Sequence, residues 1–171
     1  MPGMASIPGM TASAADVHRL LRERGATLAT AESLTGGLLA ARLTDVAGSS
    51  ETFVGGLVTY ATDLKVSLLG VPAAVVDRYG VVSAECARAM AEGARRATGA
   101  TYAVSTTGVA GPGPQDGVPA GTVHVAVSGP DGATAVALEL VGDRATVRER
   151  TCAEALSVLS AILGGEETLL G

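Results

Sequence analysis

Aromatic residues are nearly missing from this chain, which has no Trp, one Phe and three Tyr among 171 residues. A core with so few rings must be assembled from Ala, Val and Leu, whose small side chains let backbones approach closely. Lysine is scarcer still: Lys65 stands alone against 11 arginines. Acidic residues outnumber basic ones, and the net charge of -5 argues against nucleic acid, whose phosphates need a basic surface. Cysteine is limited to Cys86 and Cys152, far apart and without CxxC spacing. That excludes a disulfide framework, and both read as small buried hydrophobes. No apolar run reaches the roughly 18 residues of a membrane span. The opening segment MPGMASIPGM lacks the basic and apolar regions of a secretory signal. A cytoplasmic protein with no membrane partner is the expectation. The 23 Gly and 7 Pro follow no G-X-Y period, so collagen is excluded.

What is present is one domain's length of alternating helix and strand patterns, enough to bury a core without a disulfide or metal. Residues 1–13 read as a disordered leader, 14–165 as a single domain and 166–171 as a tail. Ser13 and Asp16 have capping-box spacing ahead of Val17, Leu20 and Leu21, and Gly25 ends that helix. Ala26–Ala31 reads as a strand and Leu38–Leu43 as a helix. Phe53–Tyr60, rich in Val, Leu and Gly, reads as a buried strand. Helical pieces follow near Asp63–Leu69 and Pro72–Tyr79, then a helix capped by Ser83 and running to Thr98. Thr101–Thr106 reads as a strand leading into a loop, Gly108–Gly121, with three prolines. Thr122–Val127 and Thr134–Leu140 form a hairpin pattern. Asp143 can cap a last helix whose Val147, Thr151, Ala155 and Leu159 follow i, i+4 spacing. This order predicts a three-layer α/β/α domain with a mixed β-sheet.

Three loops at predicted strand ends can carry chemistry, because open sheets place their sites beyond the carboxyl ends of their strands. In Glu32-Ser33-Leu34-Thr35-Gly36-Gly37 a nucleophile-type residue sits before a helix start. The free N–H groups of such a start can hold an anion or a developing oxyanion. The alternative is that Ser33 or Thr35 only caps the helix. In Tyr60-Ala61-Thr62-Asp63-Leu64-Lys65, a partly buried Lys65 can have a lowered pKa and take a proton from a serine. The S-x-x-K spacing from Ser33 falls on Gly36, so a Ser33–Lys65 pairing must be tertiary. The alternative is a solvated surface lysine. Thr106-Thr107-Gly108-Val109-Ala110-Gly111 offers close backbone approach but matches neither a Rossmann nor a P-loop pattern. It is either a binding loop or a turn. His124 in a strand and His18 on an exposed helix turn lack partners at metal spacing, so no metal is expected. Arg144 at a helix start suits a phosphate or is a solvated Arg beside a cap. Arg95 and Arg96 read as helix surface.

Taken in order, Thr30–Gly37 (TAESLTGG), Ala47–Phe53 (AGSSETF), Gly55–Lys65 (GGLVTYATDLK), Gly80–Glu85 (GVVSAE), Thr106–Gly113 (TTGVAGPG), Gly121–Val123 (GTV) and Gly142–Arg144 (GDR) resemble the CinA C-terminal domain family. The resemblance covers nearly everything from Ala14 to Leu163. The family includes stand-alone, PncC-type nicotinamide-nucleotide amidohydrolases of this length, without the N-terminal domain of full-length members. The resemblance implies the three-layer fold and hydrolysis of nicotinamide mononucleotide to nicotinate mononucleotide and ammonia, in pyridine nucleotide salvage. It implies a serine–lysine mechanism with no cofactor and no metal. By position, Ser33 is the nucleophile, Lys65 its base and Tyr60 a hydrogen-bonding helper. Thr106, Thr107 and Gly108 line the pocket, with Thr35, Gly36, Gly37 and Arg144 as further substrate-binding candidates. A homo-oligomer, in its simplest form a dimer, is expected. Leu34 replaces a common Cys, and Ala61-Thr62 replaces a Ser-Asn pair. The competing readings are a catalytically silent interaction domain and an amidase for another small amide.

Overall fold

The computed structural model describes residues 12–165. The expected leader up to residue 11 and the tail from 166 lie outside the described residues, whereas Ser13 belongs to the fold. Its Oγ accepts from the Asp16 N–H at 3.2 Å and its own N–H donates to Asp16 Oδ2 at 2.9 Å, which starts α1 (Ala14–Arg24). Gly25, in the left-handed region at φ 61°, stops it. The chain continues through β1 (Leu28–Glu32), α2 (Leu38–Thr44), β2 (Phe53–Val58), α3 (Thr62–Ser67), α4 (Ala73–Tyr79) and α5 (Ala84–Thr98). It closes with β3 (Tyr102–Gly108), β4 (Thr122–Gly129), β5 (Gly132–Glu139) and α6 (Arg144–Leu163).

The five strands form one sheet in the order β2-β1-β3-β4-β5. β1 is parallel to both β2 and β3, while β3, β4 and β5 are antiparallel in turn. The sheet is therefore mixed. Side chains alternate across it. Leu28 of β1 joins Val17, Leu21, Leu39 and Val147 in a core shared with α1, α2 and α6. Ala29 and Ala31 face the opposite layer, with Cys86 and Met90 of α5. The result is a three-layer α/β/α sandwich.

Three sequence readings are corrected. β2 is not a buried central strand but the edge of the sheet, with Val54 49% and Val58 45% exposed. Apolar composition alone does not separate an edge from a centre. His18 is not exposed: it is fully buried, its Nε2 donating to the Leu43 carbonyl at 2.7 Å and its Nδ1 meeting Thr52 Oγ1. A polar residue on the inward face of α1 is tolerated because both ring nitrogens find partners. Arg95 is not plain surface: it is half-buried and donates to the Gly129 carbonyl at 2.7 Å, whereas Arg96 is exposed on the helix surface as expected and donates to the Leu69 carbonyl at 3.2 Å. Cys86 and Cys152 are buried and free, as read from the sequence.

The topology brings the carboxyl ends of β1, β2 and β3 to one edge of the sheet. Ser33 N–H donates to the Thr106 carbonyl at 3.0 Å and Thr59 N–H to the Glu32 carbonyl at 2.9 Å. Hydrogen bonding thus runs past the strand ends and fixes the loops that follow. β5 ends on the same edge, so α6 also begins there. On the far layer, α5 packs so closely on the segment after α3 that a Cβ on Gly93 would overlap the Leu69 carbonyl oxygen. Gly93→Ala should destabilise the domain by about 1–3 kcal/mol, the usual cost of forcing volume into a packed core. Urea unfolding checks this, and an unchanged midpoint would contradict the close packing.

Candidate active site

Lys65 is 1% exposed. It comes from the final turn of α3. Its Nζ lies 3.0 Å from Ser33 Oγ, 2.7 Å from the Thr59 carbonyl and 3.3 Å from the Tyr60 carbonyl. No carboxylate pairs with it among the described residues. Burial therefore pushes the Lys65 ammonium below the usual lysine range, offset only in part by the nearby Cys86 thiol. The same burial holds that thiol up at about 11. The sequence separation of 32 between Ser33 and Lys65 is closed by the parallel pairing of β1 with β2.

Ser33 opens the turn between β1 and α2 and does not cap the helix. The N-cap of α2 is Gly37, at φ 102°, and no side chain bonds there. The carboxylate of Glu32 does the capping instead: Oε1 accepts from Leu39 N–H at 2.8 Å and Oε2 from Ala40 N–H at 3.1 Å. Those helix N–H groups are filled and are not available to an anion, contrary to the sequence reading. Thr35 turns inward and bonds Thr106 Oγ1 at 2.8 Å. The two threonines are fully buried mates that tie the turn to β3.

A cavity of about 310 Å³ opens over this pair. Ser33, Tyr60, Lys65, Thr107, Gly108 and Arg144 line it, joined by Leu34 and Thr62. Thr35, Gly36, Gly37 and Thr106 are not among its walls. Thr107 is pinned by its hydroxyl, which donates to the Val81 carbonyl at 2.6 Å. Tyr60 contributes its backbone carbonyl to Lys65, whereas its hydroxyl accepts from Arg144 Nη2 at 2.9 Å. Arg144 also donates to the Gly111 carbonyl at 2.8 Å, so it spans the mouth between two loops. The helix start beside it is capped by Asp143, whose Oδ1 accepts from Thr146 N–H at 2.8 Å. That bond holds the Asp143 carboxyl below its usual range. Of the anion-binding features expected there, the Arg144 side chain is exposed and bonded only to the neutral Gly111 carbonyl and Tyr60 hydroxyl.

Two contributors were invisible in the sequence. Glu32 lay inside a recognised turn but with no sign that it would reach forward onto α2. Arg148 lies one helical turn beyond Arg144 on α6. It sends Nε to the Leu34 carbonyl at 3.1 Å and Nη2 to the Thr35 carbonyl at 2.9 Å. Among the described residues no three His, Cys, Asp or Glu side chains gather as a metal site, and no helix is long and apolar enough to cross a membrane.

A family model described as the CinA C-terminal domain matches residues 10–163. The chain is 51% identical to a CinA-like protein of Frankia casuarinae over 146 residues, 85% of this chain and 34% of that protein. It is also 51% identical to a CinA-like protein of Geobacter sulfurreducens over 144 residues, 84% of this chain and 35% of that one. The chain thus spans about a third of the length of these curated relatives. Among solved structures, a CinA superfamily protein from Klebsiella pneumoniae aligns with a TM-score of 0.86 at 34% identity, covering 89% of this chain and 96% of that chain. One from Escherichia coli aligns at 0.83 and 32%, covering 86% and 87%. Matched in sequence across the domain and in structure across its sheet and helices, the chain belongs to the CinA C-terminal domain family.

Proposed function

We propose that this domain is an amidohydrolase whose substrate is nicotinamide mononucleotide. The observation that carries the reading is a buried lysine with no carboxylate partner, held 3.0 Å from a serine hydroxyl at the floor of a cavity. A charged ammonium in that position is costly, so the site favours the neutral amine. A neutral Lys65 can donate its two N–H groups to the Thr59 and Tyr60 carbonyls and turn its lone pair toward Ser33. A silent interaction domain has no use for such a group.

The chemistry follows from that arrangement. Lys65 takes the Ser33 proton as Oγ bonds to the carboxamide carbon. The tetrahedral intermediate collapses, the C–N bond breaks, and Lys65 gives its proton to the departing ammonia. Water then attacks the ester on Ser33, losing a proton to Lys65, which returns it to Oγ as nicotinate mononucleotide leaves. The pyridinium ring withdraws electrons from the carbonyl and lowers the demand on the site. Arg144, bonded only to neutral acceptors and exposed at the mouth, supports an anionic substrate. A phosphate offers its fork two charge-assisted bonds. Thr62, where the family resemblance implies Asn, lines the cavity, and Ala61 gives α3 no side-chain cap. These departures leave the Ser33–Lys65 pair in place.

Purified protein should release ammonia from the mononucleotide and far less from free nicotinamide. Ser33→Ala and Lys65→Ala should each cut turnover by at least about a thousandfold, and the double variant should lose little more, because the pair acts as a unit. Near-normal turnover of Ser33→Ala would end the serine reading, and equal release from both compounds would end the nucleotide reading.

The Lys65 shift also makes a pH prediction. Activity should rise with pH through the lowered Lys65 pKa, as the amine loses its proton. Because the folded value lies below the unfolded one, the unfolded chain binds an extra proton between them. Stability should therefore rise with pH across that window, the burial penalty being fully present below the folded value and gone above the unfolded one. Lys65→Met should abolish turnover, raise stability at neutral pH and flatten this slope. Urea melts at several pH values measure it, and an unchanged slope would contradict the lowered pKa.

Arg144→Ala should raise KM for the mononucleotide by about 10- to 100-fold, matching hydrogen bonds to a charged group, with a smaller change in kcat. The phosphate-free riboside should be unaffected. Equal weakening of both would assign Arg144 a structural role.

A further inference from the structure

Arg148 is half-buried on α6 and pairs with no carboxylate among the described residues. Its fork is spent on backbone, Nε on the Leu34 carbonyl and Nη2 on the Thr35 carbonyl. Both carbonyls belong to the turn that presents Ser33, and the amides of that turn are linked. The Thr35 carbonyl shares its amide with Gly36 N–H, which donates to the Ser33 carbonyl at 3.0 Å. The Ser33 carbonyl shares its amide with Leu34 N–H, which has no acceptor among the described residues. A hydrogen-bond chain thus runs from the Arg148 guanidinium through two amides and ends on an open N–H. Each donation to a carbonyl polarises its amide and makes the N–H on the far side a stronger donor.

Leu34 lines the cavity beside Ser33. In the same turn Gly36 N–H donates to Ser33, Leu38 N–H to Thr35, and Leu39 and Ala40 N–H to Glu32; the N–H groups of Thr35 and Gly37 also lack an acceptor among the described residues, but neither residue lines the cavity, so Leu34 supplies the open N–H on its wall. Arg148 itself is not a wall of the cavity. The geometry points to Arg148 as a positioning residue that grips the Leu34 and Thr35 carbonyls, so that Leu34 N–H is fixed and polarised to receive the charge developing on the oxygen of the attacked group. The planar fork matters because it fixes its Nε–H and Nη–H in one geometry that meets both carbonyls, which a lysine ammonium on a flexible stem does not reproduce. This role rests on the Ser33–Lys65 reading above but not on which amide is cleaved.

A fluorophosphonate ester tests it without reference to the substrate. Ser33 Oγ bonds to phosphorus, the P–F bond breaks, fluoride leaves, and the serine proton passes to Lys65, while the phosphoryl oxygen occupies the place of the substrate's oxygen. The wild-type chain should be labelled at Ser33 and Ser33→Ala should not. Arg148→Ala and Arg148→Lys should both label about 10- to 100-fold more slowly, short of or equal to the loss of a whole oxyanion donor. The pH midpoint of labelling should stay at the wild-type value, because Lys65 is untouched. Millimolar guanidinium ion should restore part of the rate to Arg148→Ala and none to Arg148→Lys, whose side chain fills the space. Wild-type rates in both variants would overturn the role of Arg148 while leaving Ser33 in place. So would slow labelling with a displaced pH midpoint and no rescue, the mark of general disruption. If Arg148→Ala does not fold, the rate and midpoint of Arg148→Lys decide. An unlabelled wild-type chain beside normal turnover in Ser33→Ala would remove the serine reading and the role of Arg148 with it.

Discussion

The contact between Lys65 and Ser33 makes the strictest demand on the fold. An amine removed from water, with no countercharge, is stable only where neutral acceptors meet its N–H groups and packing keeps solvent out. Thr59 and Tyr60 supply the acceptors from the residues just after β2, and Cys86 of α5 lies near the amine. Ser33 reaches the amine because β1 and β2 are parallel neighbours whose carboxyl ends share one edge. The order of strands thus determines which side chain the serine meets.

Around that contact, charge is distributed by depth. The carboxylate of Glu32 is consumed by α2, and the carbonyls of the Ser33 turn are consumed by Arg148. The floor of the cavity is left with a hydroxyl, an amine and an open N–H, which suits a neutral carbonyl group. Full positive charge facing solvent is found at the mouth, on Arg144. A ligand with one neutral and one anionic end is oriented by this gradient before any bond is made.

Much of the frame was legible in the sequence, because its signals are local. Ser13-x-x-Asp16, Gly25, Ser83 and Asp143 mark helix ends through bonds spanning three residues, and the late hairpin follows from alternation around Pro130-Asp131. Ser33 and Lys65 were legible one at a time, Lys65 through its rarity, and their pairing only through family resemblance. The remaining contributors act across the fold, where a single chain gives no local sign. Arg148 reads as any arginine on a long helix until α6 is laid against the β1–α2 turn. His18 reads as exposed until Leu43 and Thr52 are brought to its ring. Thr35 and Thr106 carry ligand-like hydroxyls, yet these satisfy each other across β1 and β3. The edge position of β2 was hidden because its apolar content matches that of a central strand.

The tight seam at Gly93 has a consequence for hydration. Leu69, the residue α5 presses upon, follows α3, and Val71 N–H returns to the Lys65 carbonyl at 3.1 Å. Contact along this seam packs α5 directly against the backbone that follows Lys65. A side chain at position 93 would push α5 away from that backbone and loosen the packing that buries Lys65. A better hydrated Lys65 would lose part of the burial that lowers its pKa and would hold a proton more readily. The burial of Lys65 thus depends in part on the absence of a single methyl group from a neighbouring helix.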